Sequence, residues 1–129
     1  MEKGVKSRLI VHEILKLIKI KCYDFDKAFL LSTKNLNLLK ADINLIHNVV
    51  ISSFRYSLIT DIIIKEFAKK IKKDSNSYFL LLSSITQIIF LDFKDFAVVN
   101  TAVEISKLKK AKAPSSFINA VLRNIIRKK

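Results

Sequence analysis

Residues 77–91 read SYFLLLSSITQIIFL, and this stretch decides the fold. Phe79, Leu80, Leu81, Leu82, Ile85, Ile88, Ile89 and Phe90 place apolar side chains almost all the way round a helix. Only Ser83, Ser84, Thr86 and Gln87 are polar among them, and the small serines allow a neighbouring helix to approach closely. A helix without a polar face belongs at the centre of a bundle, so the remaining chain must supply helices that surround it.

Working outward, it does. A helix over about residues 5–21 carries Ile10, Val11, Ile14, Leu15, Leu17 and Ile18 on one face. Arg8, His12, Lys16 and Lys19 form a second, cationic stripe at spacings that stack side chains along a helix. Asp24 reads as the N-cap of a short helix through Ala28, Phe29 and Leu30, followed by a polar connection over residues 33–40. A third helix from about Asp42 to Phe54 turns Ile43, Ile46, Val49, Val50 and Phe54 inward, with His47 as a half-buried packing residue. A fourth is expected to bury Ile59, Ile62, Ile63, Phe67 and Ile71, with Asp61 and Lys65 as an exposed pair one turn apart. The charged break over residues 69–76 ends at Asp74 or Ser75, either of which can cap the central helix. A sixth helix runs from about Asp95 to Leu108 with Val98, Val99, Ala102, Val103 and Ile105 inward, and Asp92 and Asp95 serve as capping residues near its start. The only proline, Pro114, stands where a last helix over about Ser115–Lys128 begins; that helix buries Phe117, Ile118, Val121, Leu122, Ile125 and Ile126. The fold class is all-α: a compact bundle of about seven helices forming a single domain over residues 1–129.

Composition narrows the function. The chain has 129 residues, half of them hydrophobic, with one Gly and one Pro, which excludes turn-rich sandwiches and glycine-rich phosphate loops. Cys22 as the single cysteine excludes a disulfide framework, and with only His12 and His47 beside it the chain lacks the ligands of a structural zinc site. The start, MEKGVKSR, is charged and no small-residue cleavage site follows, so no secretory leader is expected. The longest unbroken apolar run, Tyr78 to Leu82, falls far short of the roughly 18–20 residues of a membrane span. A cytoplasmic protein is the expectation.

The formal net charge of +13 favours a polyanionic partner. Lysine dominates, with 20 Lys against 4 Arg, so AT-rich codon usage contributes part of the surplus. Its distribution is nevertheless uneven: residues 107–129 hold eight cations and no acid, and residues 1–21 hold six cations against two acids. Both ends are basic. The basic residues are spread over several helices, which fits poorly with a lysine-faced helix lying on a membrane. Arginine contacts phosphate and stacks on bases, so Arg8, Arg55, Arg123 and Arg127 stand out in so arginine-poor a chain, although Arg55 serves equally well as a helix C-terminal residue or an ion-pair partner. No nucleophile–base set is evident: Cys22 sits among Lys19, Lys21 and Tyr23 without a base, and Gly4 as the only glycine rules out a dinucleotide or methyl-donor fingerprint. No catalytic residue, metal or cofactor is expected, and the chain by itself is not an enzyme. The candidate RNA-contacting residues are Lys3, Lys6, Arg8, His12, Lys16 and Lys19 in the first helix, Arg55, and Asn119, Arg123 and Arg127 in the last.

The run FAVVNTAVEISKLKKAKAPSSFINAVLRNI, residues 96–125, resembles the closing helices of the NusB-like fold. Ala97, Val99, Asn100, Ala102, Val103 and Glu104 match the first part of its pattern, and Phe117, Asn119, Ala120, Val121, Leu122 and Arg123 the second. Gln87, Phe90 and Leu91 are similar to the family's central helix, and Arg55 to its preceding hairpin. Leu82 departs from a usual arginine, Thr101 from a glutamate and Lys94 from a frequent proline. Two branches share this fold: antitermination factors, which pair with a small-subunit ribosomal protein on leader RNA, and the N-terminal RNA-binding domains of Sun/Fmu (RsmB-type) methyltransferases, which make 5-methylcytosine in 16S rRNA. The ending Asn119-Ala120-Val121-Leu122-Arg123 is similar to the second branch, since the first more often carries glycine at the place of Ala120. The resemblance therefore implies a domain that positions 16S rRNA for a methyltransferase whose catalytic part is not in this chain; the alternative is a stand-alone factor with a ribosomal protein partner.

Overall fold

The computed structural model describes residues 3–129. Among them the chain forms seven α-helices and no strand: α1 (Lys3–Lys21), α2 (Phe25–Thr33), α3 (Lys40–Arg55), α4 (Ser57–Phe67), α5 (Asn76–Ile85), α6 (Asp95–Ser106) and α7 (Ser115–Lys128). A π-helical turn, Thr86–Phe90, extends α5, and a 3-10 turn, Lys109–Ala111, precedes α7.

The central helix is where its composition puts it. Every residue from Tyr78 to Ile88 is buried, and α5 packs against α1, α3, α4, α6 and α7. Two of its buried hydroxyls bond along the helix itself, Ser83 Oγ donating to the Leu80 carbonyl and Thr86 Oγ1 to that of Leu82. The helix does not run unbroken to Leu91. At Thr86 the ladder widens, so that the Leu91 N–H reaches the Thr86 carbonyl at 3.1 Å and the Phe93 N–H reaches that of Gln87 at 2.9 Å.

Local chemistry fixes the helix ends. Asp24 caps α2 by accepting from the Lys27 N–H, and Ser75 caps α5 by accepting from the Tyr78 N–H. Cys22 closes α1 at φ 60°, and the Tyr23 N–H turns back to the Leu17 carbonyl, a left-handed cap made by a residue that is not glycine. Asp95 lies in the first turn of α6, where its charge favours the helix dipole, and it also accepts from Lys129 Nζ at 2.7 Å.

Two expectations about faces are corrected. In α4 the buried positions are Thr60 and Ile64, whereas Ile59 and Ile62 are 52% and 67% exposed and Leu58 is 83% exposed. Apolar residues occupy Ile59, Ile62, Ile63 and Ile64, so the run offers more than one inward face, and packing against α5 selects the Thr60–Ile64 edge. The helix also stops at Phe67, with Ile71 packing on the core from the loop beyond it. In α1 the burial is wider than one stripe. Val5, Ser7, Ile10, Val11, His12, Ile14 and Leu15 are all buried, because α2, α3, α5 and α6 pack around it.

Candidate functional site

The cationic stripe of α1 is not a surface stripe. His12 is fully buried, so its expected contact with RNA is overturned: Nε2 lies 3.2 Å from Asn76 Oδ1, and the ring meets Phe79 edge-on. Burial is the main cause that lowers its pKa to about 4, and Lys16 adds to it, while the bond to Asn76 works the other way. The imidazole is therefore neutral at pH 7 and offers phosphate no charge. Arg8 is also drawn inward, against its expected place on a polar face. Its Nε donates to Gln87 Oε1 at 3.1 Å and its guanidinium lies 5.7 Å from the Phe93 ring centre. Gln87 is held in turn by its Nε2, which donates to the Ser83 carbonyl. The half-buried Arg8 is thus fixed by the π-helical turn that extends α5 and by the loop that leads into α6.

The same loop connects Arg8 to the last helix. Residues 93–96 pass from the Arg8 guanidinium into α6, where Asp95, Phe96 and Val99 line a cleft of about 340 Å³ together with Arg123, Ile126 and Arg127 of α7. Phe96 is 68% exposed, which is unusual for an aromatic side chain. Arg123 Nε donates to Asn119 Oδ1 at 3.0 Å, and Arg127 donates to Asn124 Oδ1. Both arginines are exposed at the α7 surface, held by neutral asparagines rather than by carboxylates. An exposed ring flanked by two preoriented guanidinium groups offers stacking and phosphate contact in one place.

The other expected residues do not join this cleft. Lys16 donates from Nζ to the Lys110 carbonyl at 3.3 Å, beside the Glu13–Lys110 ion pair, and Lys19 is exposed further along α1. Arg55 is exposed at the end of α3 in a separate cleft lined by Asn44, His47, Asn48 and Ile51. Lys6 is half-buried on α1; Lys3 opens that helix, and its side chain lies outside the described residues. His47 packs as expected, its ring 4.5 Å from that of Phe25 and 5.4 Å from that of Phe29.

Residues 5–127, nearly the whole chain, match the model of the NusB family. The chain belongs to the NusB family. Two solved structures share its NusB-like architecture. One, from the crystal structure of antitermination factors NusB and NusE in complex with dsRNA, is 19% identical, covers 98% of this chain and 97% of its own, and superposes with a TM-score of 0.80. The other, from a crystal structure described as a plectonemic RNA supercoil, is 21% identical, covers 99% and 96%, and gives a TM-score of 0.82. No curated protein matches the chain.

Within this NusB-family chain the sequence reading missed Phe96. The available signal was the acidic–aromatic pair Asp95-Phe96 at a helix start, which reads equally well as a buried aromatic; only the packing of α6 on α7 shows the ring outside. Among the described residues no three His, Cys, Asp or Glu side chains gather as a metal site would need. No helix among them is long and apolar enough to cross a membrane.

Proposed function

We propose that this chain is a NusB-type RNA-binding domain whose contact surface centres on Phe96, Arg123 and Arg127 and extends past Arg8. The observation that carries this is the exposed Phe96 ring in a cleft shared with two arginines, on a chain of net charge +13. The ring stacks on an unpaired base, and the arginines bind the flanking phosphates. The two solved relatives, one of them NusB with NusE on dsRNA, support RNA as the ligand class. The domain does no chemistry of its own; it places RNA. Its RNA is 16S rRNA and its working partner a cytosine methyltransferase domain, a reading supported by the Asn119-Ala120-Val121-Leu122-Arg123 ending.

A second reading has its own support. The likeness to a structure described as antitermination factors NusB and NusE in complex with dsRNA favours an antitermination factor that binds leader RNA with a ribosomal protein. One binding experiment tests both. With four to six phosphates neutralised, log affinity for 16S fragments falls against log salt with a slope of about −3 to −5. A flat salt response overturns phosphate-led binding. Leader-RNA affinity that rises only when a small-subunit ribosomal protein is added selects the second reading over the first.

A further inference from the structure

At the far end of α7 from Arg123 and Arg127 lies a larger cleft. It measures about 650 Å³, within the roughly 300–1,000 Å³ typical of small-ligand sites. The connection between α4 and α5 forms one wall and the start of α7 the other. Phe67, Ile71, Pro114 and Phe117 give it an apolar lining, and Lys69, Lys70 and Lys72 stand on its rim against one acid, Glu66. All three lysines are exposed, and none forms a salt bridge with another described residue. The Ser77 side chain, which also lines it, makes no hydrogen bond to another described residue, whereas Ser75 is committed to capping α5. Lys69, Lys70 and Lys72 thus set their charge around one aromatic-lined cavity.

We propose that this cleft takes a single unstacked nucleotide of a single-stranded RNA, its base against the Phe67 and Phe117 rings and its phosphates on Lys69, Lys70 and Lys72. This rests on the RNA-binding reading above and adds a second site to it. The chemistry favours a nucleotide over an acidic peptide because the cavity offers aromatic faces and a free hydroxyl as well as cations. Lysines alone would suit either ligand; the rings and Ser77 suit a base.

The test uses the full-length chain and an oligouridylate carrying one 4-thiouridine, with cross-links mapped by mass spectrometry. Cross-links on Phe67, Phe117 or residues 69–72 are expected. The triple variant Lys69→Glu, Lys70→Glu, Lys72→Glu should weaken oligouridylate binding tenfold or more at low salt and flatten the salt slope by about 2. Phe117→Leu keeps the apolar volume and removes the ring face; it should cost about fivefold in affinity at an unchanged melting temperature. Cross-links confined to Phe96, Arg123 or Arg127, with the triple variant binding normally, overturn this cleft while leaving the first site intact. Loss of all RNA binding by the unaltered chain overturns both readings. Displacement of the oligonucleotide by polyglutamate at equal charge concentration shows a cation patch without a base site, and overturns the proposal.

Discussion

The imidazole of His12 on α1 and the amide of Asn76 at the start of α5 meet at 3.2 Å inside the bundle, and Asn76 passes the link on to the Lys112 carbonyl. With Nε2 donating to Asn76 Oδ1, the ring's other nitrogen, Nδ1, is buried without a partner. An unprotonated Nδ1 tolerates this, but a protonated one would be a buried donor with nothing to receive it. Folding therefore depends on the neutral ring. Its pKa of about 4 lies below the unfolded value of about 6.5, so the stabilisation is complete above pH 6.5 and is lost as pH falls towards 4. The full loss is on the order of 3 kcal/mol. Thermal unfolding from pH 7 to pH 4 should show this decline, and His12→Gln, which keeps a hydrogen-bonding group but cannot titrate, should flatten it across that window.

Arg8 and Arg123 should part company on mutation. Arg8 is built into the fold through Gln87 and Phe93, so Arg8→Glu leaves Gln87 Oε1 without its donor and places a carboxylate beside the ring. A stability loss of about 1–3 kcal/mol follows. Arg123 is exposed and holds only Asn119, and Arg123→Glu should move the melting temperature little, with a stability change of about 0.5 kcal/mol or less. Calorimetry on both variants, beside an RNA titration, separates them. If Arg8→Glu melts like the unaltered chain, the guanidinium does not hold α1 to α5.

Tyr78 donates its hydroxyl to Asp61 Oδ1 at 2.7 Å, while Lys65 reaches Oδ2 at 2.9 Å. These bonds, that of Tyr78 foremost, hold the Asp61 carboxyl below its ordinary pKa, and burial with the same contact raises that of the tyrosine. The carboxylate's contribution is present above its unfolded pKa of about 3.9 and is lost as pH falls below it, a window more acidic than that of His12. Tyr78→Phe should cost about 1–2 kcal/mol and raise the Asp61 pKa towards its ordinary value, measurable by carboxyl NMR titration. An unmoved Asp61 resonance would show that Lys65, not Tyr78, sets its ionisation.

Much of the fold was legible because several helices carry a single unambiguous face. The last helix, expected from Ser115 to Lys128, occupies those residues, since Pro114 marks its start and six apolar residues repeat at helical spacing. The central helix was legible for the opposite reason, its lack of any polar face. His12 was misread because a projection of α1 shows the angle of a residue but not how many neighbours close over it. The candidate site was legible in its charges and hidden in its geometry. Arg123 and Arg127, named from the sequence as candidate RNA contacts, are exposed, but bringing Phe96 to them, and Phe93 to Arg8, requires the turn between the π-helical segment and α6. The larger cleft was hidden in the same way, because Lys72 and Phe117 lie about forty-five residues apart and only tertiary packing unites them.

The face of α4 gives the sharpest comparison between pattern and packing. Ile62 and Ile64 are two residues apart in the same isoleucine run, yet Ile62 is 67% exposed and Ile64 fully buried. A helix turns by about 200° over two residues, so the two side chains point to opposite sides. Removing most of a buried isoleucine loses its transfer free energy and leaves a cavity, so Ile64→Ala should destabilise by about 2–5 kcal/mol. Ile62→Ala removes little buried surface and gains helix propensity, leaving stability within about 0.5 kcal/mol of the unaltered chain. Denaturant midpoints at constant m-value read both changes. Equal losses would mean that Ile62 is covered in solution; a larger loss at Ile62 would restore the face that the amino-acid pattern alone suggests.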